Sequence, residues 1–448
     1  MAASPVRRVG VIGGGWAGCS AACELARLGD HVVLLEAARE LGGRARRIEV
    51  NGRILDNGQH ILLGAYAETL RLMALVGIAP ANSLLRLPLQ MHYPPGSGGM
   101  QLRAAPLPAP LHLLLALLRA GGLERDDKLA IARFQSTARW SGWTLYDDCS
   151  VSALLERYDQ TPAVIRQLWR PLCIAALNTP PERASAQVFL NVLKDSLGSR
   201  RSASDMLLPK VDLGMLFPDR AADYVRRNQG KVQLGARVQG IIRGADGWTV
   251  EVAGQASECF DAIVMAAPPW QAKALLEPSV PGLVPEFSYE PIQTCYLQYS
   301  PTLSLPQPFF ALLDDPAAGD YGQFVFDRGQ LDPMAAGLLA VVTSAWREPE
   351  DQKGSDAPAA QASTIAGQLA RAFGDPRLLH PQWSKVITEK RATFSCTPAL
   401  QRPPNDTGEP GLWLAGDYTA GDYPATIESA VRSGLAAARG LHQSSSRT

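Results

Sequence analysis

Several things are missing from this chain of 448 residues, and each absence closes off a class of function. Its seven cysteines (Cys19, Cys23, Cys149, Cys173, Cys259, Cys295 and Cys396) are scattered, with no CxxC pair and no Cys/His clustering. That pattern excludes a disulfide framework and a zinc-type centre and suits reduced cytosolic thiols. Neither sign of charge is in excess: Lys+Arg number 43 and Asp+Glu 43. No polyelectrolyte surface is therefore offered, and nucleic acid is not an expected partner. No apolar run reaches the roughly twenty residues a spanning helix requires. The opening residues, MAASPVRR, lack the apolar segment of a secretory signal, so the expected location is cytoplasmic.

What is present is ample apolar material, 46% hydrophobic residues, over a length that suits two or three compact units. The most informative stretch runs from Arg8 to Arg44. An apolar run, Val9 to Ile12, leads into Gly13-Gly14-Gly15-Trp16-Ala17-Gly18. A helix-like segment follows to Leu28, then a second apolar run from His31 that ends at Glu36. Strand, glycine turn, helix, strand and acid is the context that gives GxGxxG its meaning as a dinucleotide fingerprint. Gly13 permits the tight turn, Gly15 lets the backbone approach a pyrophosphate, and Gly18 lets the helix pack closely on the strand. The N–H groups of Trp16 and Ala17 open the helix toward the phosphates, and Glu36 accepts from ribose hydroxyls. Gly43 and Arg44 follow, placing a guanidinium beside the pyrophosphate. A second fingerprint is lacking, so the electron donor is unidentified.

Further along, residues 111–198 read as largely helical and carry Trp140, Trp143, Tyr146, Trp169 and Phe189. These aromatics are either ordinary core or the walls of an apolar pocket able to hold a polyene or a carbocation. Leu107 to Leu118 is either a buried helix or one lying in a membrane interface, the latter implying peripheral contact with the inner face of the cytoplasmic membrane. Lys231 to Val238 reads as one strand, followed by a hairpin through Gly244-Ala245-Asp246-Gly247. Near the end, the strand-like Leu412–Ala415 runs into Gly416-Asp417, and a helix begins near Thr426 and continues to about Leu441.

The segment Glu36–Arg44, followed by Leu55-Asp56-Asn57-Gly58-Gln59-His60, resembles the flavin-containing amine oxidase and phytoene desaturase superfamily. The resemblance implies FAD, with Gly58, Gln59 and His60 running beside the isoalloxazine ring and the backbone of Val238 holding the adenine. Asp417 then sits at a strand end where it can bond the ribityl chain, and the helix start at Ala425, Thr426 and Ile427 offers N–H donors to the flavin. The expected fold is α/β: a Rossmann-type FAD domain from residues 1–85, 211–270 and 386–448, with an inserted substrate domain of mixed sheet and helices from 86–210 and 271–385.

Three longer segments, Asp56–Tyr66, Trp169–Thr179 and Gly416–Ser429, resemble the squalene-associated, hydroxysqualene dehydroxylase branch of that superfamily. This implies reductive removal of a hydroxyl from a C30 isoprenoid alcohol to give squalene, within hopanoid synthesis. A hydroxyl leaves poorly, so the chemistry needs an acid and a site closed to water. His60 is the first candidate acid, with Asp56 to orient or charge it or merely to cap its turn; Asp195 and Tyr423 are weaker candidates. An oxidative desaturase or amine oxidase on the same scaffold, and a non-enzymatic prenyl-lipid carrier, are the competing readings. Cys396 lies outside any motif for a covalent flavin link, and a buried thiol is expected there.

Overall fold

The computed structural model describes residues 6–198, 200–245, 247–345 and 357–445; the opening residues 1–5 and Asp246 of the expected hairpin turn lie outside them. Near-continuous apolar runs at Val9–Ile12, Val32–Leu35 and Ala262–Met265 are the pattern of strands buried on both faces. They form β1 (Arg8–Ile12), β2 (His31–Glu36) and β4 (Ala262–Met265), beside which the more exposed Lys231–Leu234 is β3. With a distant strand at Leu412–Leu414, they make a five-stranded sheet in which every pairing is parallel. The spatial order is β3, β2, β1, β4, then Leu412–Leu414. Parallel neighbours need crossovers. The first is α1 (Trp16–Arg27), which packs against the C-terminal helix at Ile427–Ser445.

A second sheet is antiparallel throughout. Its strands are β5 (Tyr289–Gln298), β6 (Phe309–Ala311), β7 (Phe324–Asp327), β8 (Leu338–Ser344) and β9 (Trp383–Phe394), in the order β6, β7, β8, β5, β9. One face carries Cys295, Leu297, Val325, Leu339 and Val341 and packs with the helix Ala357–Phe373. The other carries Tyr296, Phe309, Phe324, Phe326, Ala340 and Val342 and joins a core that also contains Ile12, Val33 and Leu35 of the parallel sheet. Residues 111–198 are helical as expected and include α2 (Leu111–Arg119) and α3 (Arg125–Trp140).

Three expectations change. Lys231–Val238 is not one strand: Gly235 takes a positive φ of 70°, the chain turns, and Val238 opens a separate strand to Arg243 in a three-stranded antiparallel sheet. Residues 386–394, expected in the cofactor domain, belong to β9 and pair with β5 in the second sheet. Met206–Pro209, expected in the inserted domain, pairs with Leu62–Leu63 of the first segment and with Leu84–Leu87, which straddles that segment's end.

Candidate functional site

The glycine turn sits at the C-terminal end of β1, at the mouth of the parallel sheet. Gly13 has φ +107°, and its N–H bonds Leu35 O at 2.8 Å. A Cβ at Gly18 would lie 1.8 Å from Gly13 O, so only glycine allows α1 to approach this closely. Helical bonding starts with Cys19 N–H to Gly15 O, which leaves the N–H groups of Trp16, Ala17 and Gly18 as the unpaired donors of a helix start. The Trp16 side chain itself turns inward, its indole N–H bonded to Ala45 O at 3.0 Å and its ring against Phe217, so its contribution to a ligand is backbone only.

Opposite this turn lies Gly42-Gly43. Gly42 N–H bonds Gly14 O, and where a Gly15 Cβ would sit the only neighbour within 4 Å is Gly43 Cα, at 3.9 Å. The two glycines thus meet backbone to backbone, leaving a strip free of side chains. At one end of this strip, Glu36 accepts from Gly14 N–H at 2.6 Å and Ala38 N–H at 2.7 Å. Gly235 and Ala236 bond the backbone of Ala38 and Glu36, which brings the segment leading to Val238 to the same end. Backbone donors for phosphates, an acid for ribose and a side-chain-free glycine strip fit FAD.

The distant C-terminal motif arrives at the other end. Arg44 pairs with Asp417 at 2.5 Å and donates to Ala392 O at 2.9 Å. Burial works against the Arg44 charge, but Asp417 outweighs it and holds the guanidinium protonated. Gly416 N–H bonds Ser433 Oγ, and a Cβ on Gly416 would strike the Tyr418 ring. The helix that follows starts at Ile427; Thr426 Oγ1 caps it by accepting Ser429 N–H at 3.1 Å, and Ala425 packs against the core just before it.

Between these ends lies the Asp56–His60 segment. A Cβ built on Gly58 would be 3.8 Å from His60 Nε2 and 4.0 Å from the Thr294 hydroxyl, so these groups converge. Among the described residues neither ring nitrogen of His60 has a protein hydrogen-bond partner. Burial, with Arg44 in support, pushes its imidazole down to about 4. The Asp56 carboxylate accepts Leu213 N–H at 2.8 Å, and among the described residues no hydrogen bond joins it to His60. Burial pushes the Asp56 carboxyl up to about 6, against the pull of Arg328. Its carbonyl accepts the Tyr296 hydroxyl at 2.7 Å, and that oxygen in turn accepts Gln59 Nε2 at 2.8 Å.

Other candidates fall away from this centre. Tyr423 OH and the Asp195 carboxylate bond each other, with Arg432 over the tyrosine ring, so neither weak acid candidate is directed at His60. Trp140 and Tyr146 stand in solvent, while Trp143, Trp169 and Phe189 are buried, with Trp169 against both Phe134 and Phe189. Asn178 is a joint: in the left-handed conformation, it bonds Thr393 Oγ1, Glu290 O and Ala345 N–H. The Cys396 thiol is buried and pushed up to about 12, which leaves it no thiolate for a flavin bond.

The sequence reading missed Thr294, Tyr296 and Tyr418. Thr294 Oγ1 and Tyr418 OH are buried hydroxyls with no partner among the described residues. The alternation Thr294/Tyr296 along β5 was a usable signal, since both fall on the face turned to Gly58. That face continues across the sheet: Thr294 and Tyr296 pair with Val342 and Ala340, and these with Phe324 and Phe326, next to Phe309.

The model of the flavin-containing amine oxidoreductase family matches residues 16–442. A hydroxysqualene dehydroxylase of Rhodopseudomonas palustris is 30% identical, over 96% of this chain and 97% of that protein. One from Zymomonas mobilis is 26% identical with the same coverage. A 15-cis-phytoene desaturase of an Oncidium hybrid is 25% identical, over 97% of this chain and 77% of that protein. Among solved structures, a cyclohexylamine oxidase of Brevibacterium oxydans superposes with a TM-score of 0.67 at 18% identity, covering 99% of this chain and 100% of the other. A putrescine oxidase does so with 0.69 at 16%, covering 98% and 99%. The chain belongs to the flavin-containing amine oxidoreductase family, within its hydroxysqualene dehydroxylase branch, and is an FAD-dependent oxidoreductase.

Proposed function

We propose that this member of the flavin-containing amine oxidoreductases removes the hydroxyl of hydroxysqualene and replaces it with hydrogen, giving squalene and water. The observation that carries the reading is the apolar, aromatic face of the second sheet, Phe309, Phe324, Phe326, Ala340 and Val342, which Thr294 extends toward Gly58, where His60 also converges. A hydrocarbon chain suits that face, and rings can stabilise a cation left by a departing hydroxyl. The end-to-end likeness to hydroxysqualene dehydroxylases supports it.

Gly13, Gly15, Trp16, Ala17, Gly18 and Gly43 would hold the pyrophosphate, Glu36 the ribose and Val238 the adenine. Arg44, Asp417, Ala425, Thr426 and Ile427, with Gly58 and Gln59, would enclose the flavin. When bound in its reduced form, FAD supplies the hydride. The remaining requirement is one proton, delivered to the oxygen that leaves as water.

His60 is the proposed acid. Its neutral ring carries a proton on one nitrogen and can hydrogen-bond the substrate hydroxyl; the imidazolium that hands over the proton is a minor species near neutrality. Negative charge arriving beside Arg44 offsets the guanidinium and raises that fraction. Asp56 is a positioning residue, holding Gln59 through its carbonyl and Tyr296. The electron donor is external to these motifs.

The test is anaerobic incubation of the purified flavoprotein with hydroxysqualene and a chemical reductant of flavin. Squalene and water are the expected products, with turnover lost in His60→Ala at unchanged flavin content. A protein that leaves hydroxysqualene untouched but desaturates a polyene, or releases peroxide from an amine, would overturn the reading.

A further inference from the structure

The outward face of α2 is apolar where a surface helix is normally charged. Its inward residues His112, Ala116 and Leu117 are buried. Leu111, Leu114 and Leu118, spaced as one face of a helix, are 52%, 51% and 63% exposed. The polar residues of α2 are His112, which is buried, and Arg119 at the last turn, so nothing hydrophilic interrupts the stripe. Lys128 donates to Leu118 O at 3.0 Å and joins the end of α2 to the start of α3.

On α3 the exposed face continues the theme. Leu129 is 48% exposed and Trp140 91%. They stand eleven residues apart, about three turns, and so lie on one side of the helix with Arg133 between them. Beyond the helix Tyr146 is fully exposed. From Arg119 to Trp140 the charged side chains that reach solvent are five basic (Arg119, Arg125, Lys128, Arg133, Arg139) against two acidic (Glu124, Asp126). The third acid, Asp127, is buried and closes the start of α3 by accepting Glu124 N–H.

We propose that this face docks on a lipid bilayer bearing anionic headgroups. The leucine stripe enters the acyl boundary, Trp140 and Tyr146 lie at headgroup depth, and the basic side chains meet lipid phosphates. Charge complementarity selects this occupant. An exposed apolar stripe with cations around it matches an anionic interface, and among the described residues no helix is long and apolar enough to cross one. The inference stands on the surface alone and does not depend on which substrate the site takes.

Flotation of the flavin-loaded protein with vesicles of phosphatidylcholine, with and without phosphatidylglycerol, tests it. The wild type is expected to float with the anionic vesicles and to be released by salt. Leu114→Ser with Leu118→Ser should weaken binding at least roughly tenfold. Arg133→Glu with Arg139→Glu should weaken it by a comparable factor and flatten the salt dependence. Met334→Ser, which changes an exposed methionine elsewhere, should float like the wild type. Flavin content reports that each variant is folded. Wild type that stays in solution with both vesicle types, or a leucine variant that floats as well as wild type, overturns the proposal. So does a wild type that self-associates in sedimentation and becomes monomeric on loss of the leucines without vesicle binding, since the stripe is then an interface between copies.

Discussion

His60 and Asp56, four residues apart, should pull the stability of this protein in opposite directions over the same pH range. Burial lowers His60 from 6.5 to about 4. An imidazole held neutral binds its proton more weakly folded than unfolded. Its contribution is therefore complete above pH 6.5 and is lost as the pH falls toward 4. That loss amounts to about 3 kcal/mol at 1.36 kcal/mol per unit. Burial raises Asp56 from 3.8 to about 6. A carboxyl held protonated contributes fully below pH 3.8 and loses about 3 kcal/mol as the pH rises through 6. In the wild type the two slopes nearly cancel. Urea unfolding of the wild type, His60→Gln and Asp56→Asn, in steps from about pH 4 to about pH 7, separates them. The asparagine still accepts Leu213 N–H, so that hydrogen bond survives the change. The stability of wild type relative to His60→Gln should fall by about 3 kcal/mol from pH 6.5 to pH 4. Relative to Asp56→Asn it should rise by about as much. Two differences of the same sign, or either one flat within about 0.5 kcal/mol, would falsify the assignment of these protonation states.

Glu36→Gln keeps the shape at the end of β2 but turns an amide NH2 toward one of two backbone donors, Gly14 N–H and Ala38 N–H. FAD affinity, read by flavin fluorescence during titration of the apoprotein, should drop roughly tenfold to a hundredfold; a change within twofold would remove Glu36 from the site. Gly434→Ala places a Cβ 2.2 Å from Ala17 O, a backbone atom that cannot swing aside. Thermal unfolding should show a loss of about 1–3 kcal/mol, and unaltered melting would mean that the two helices are not in contact as described.

Much of the parallel sheet was legible because its strands are uninterrupted apolar runs punctuated by glycines with geometric work to do. Gly13, Gly18 and Glu36 occupy the positions the fingerprint demands. The break inside Lys231–Val238 was not legible, since Gly235 there could equally have been an ordinary strand residue. Which face of a helix meets solvent was also hidden. Periodicity marks α2 as a helix whether its leucines point in or out, and aromatic residues alone do not distinguish Trp169 in the core from Trp140 in water. The site around His60 was only half readable. Its own segment announces itself, but Thr294 and Tyr296 reach it from a sheet more than two hundred residues away, through strand alternation that carries no motif.

That distance has an energetic consequence. The ion pair of Arg44 with Asp417 and the contact of Ala17 with Gly434 join segments from opposite ends of the chain. The backbone whose Ala17 N–H is proposed to meet a phosphate turns its carbonyl to the C-terminal helix. On that proposal, cofactor binding and the packing of that helix are one linked equilibrium. A ligand that binds only the joined form stabilises it by RT ln(1 + [L]/Kd), about 2.7 kcal/mol at a hundredfold excess over Kd. Damage at Gly434 should then appear twice, as a lower melting temperature and as weaker FAD binding. Saturating FAD should restore part of the stability but not the affinity. A chain with its two ends folded independently would show the first effect without the second.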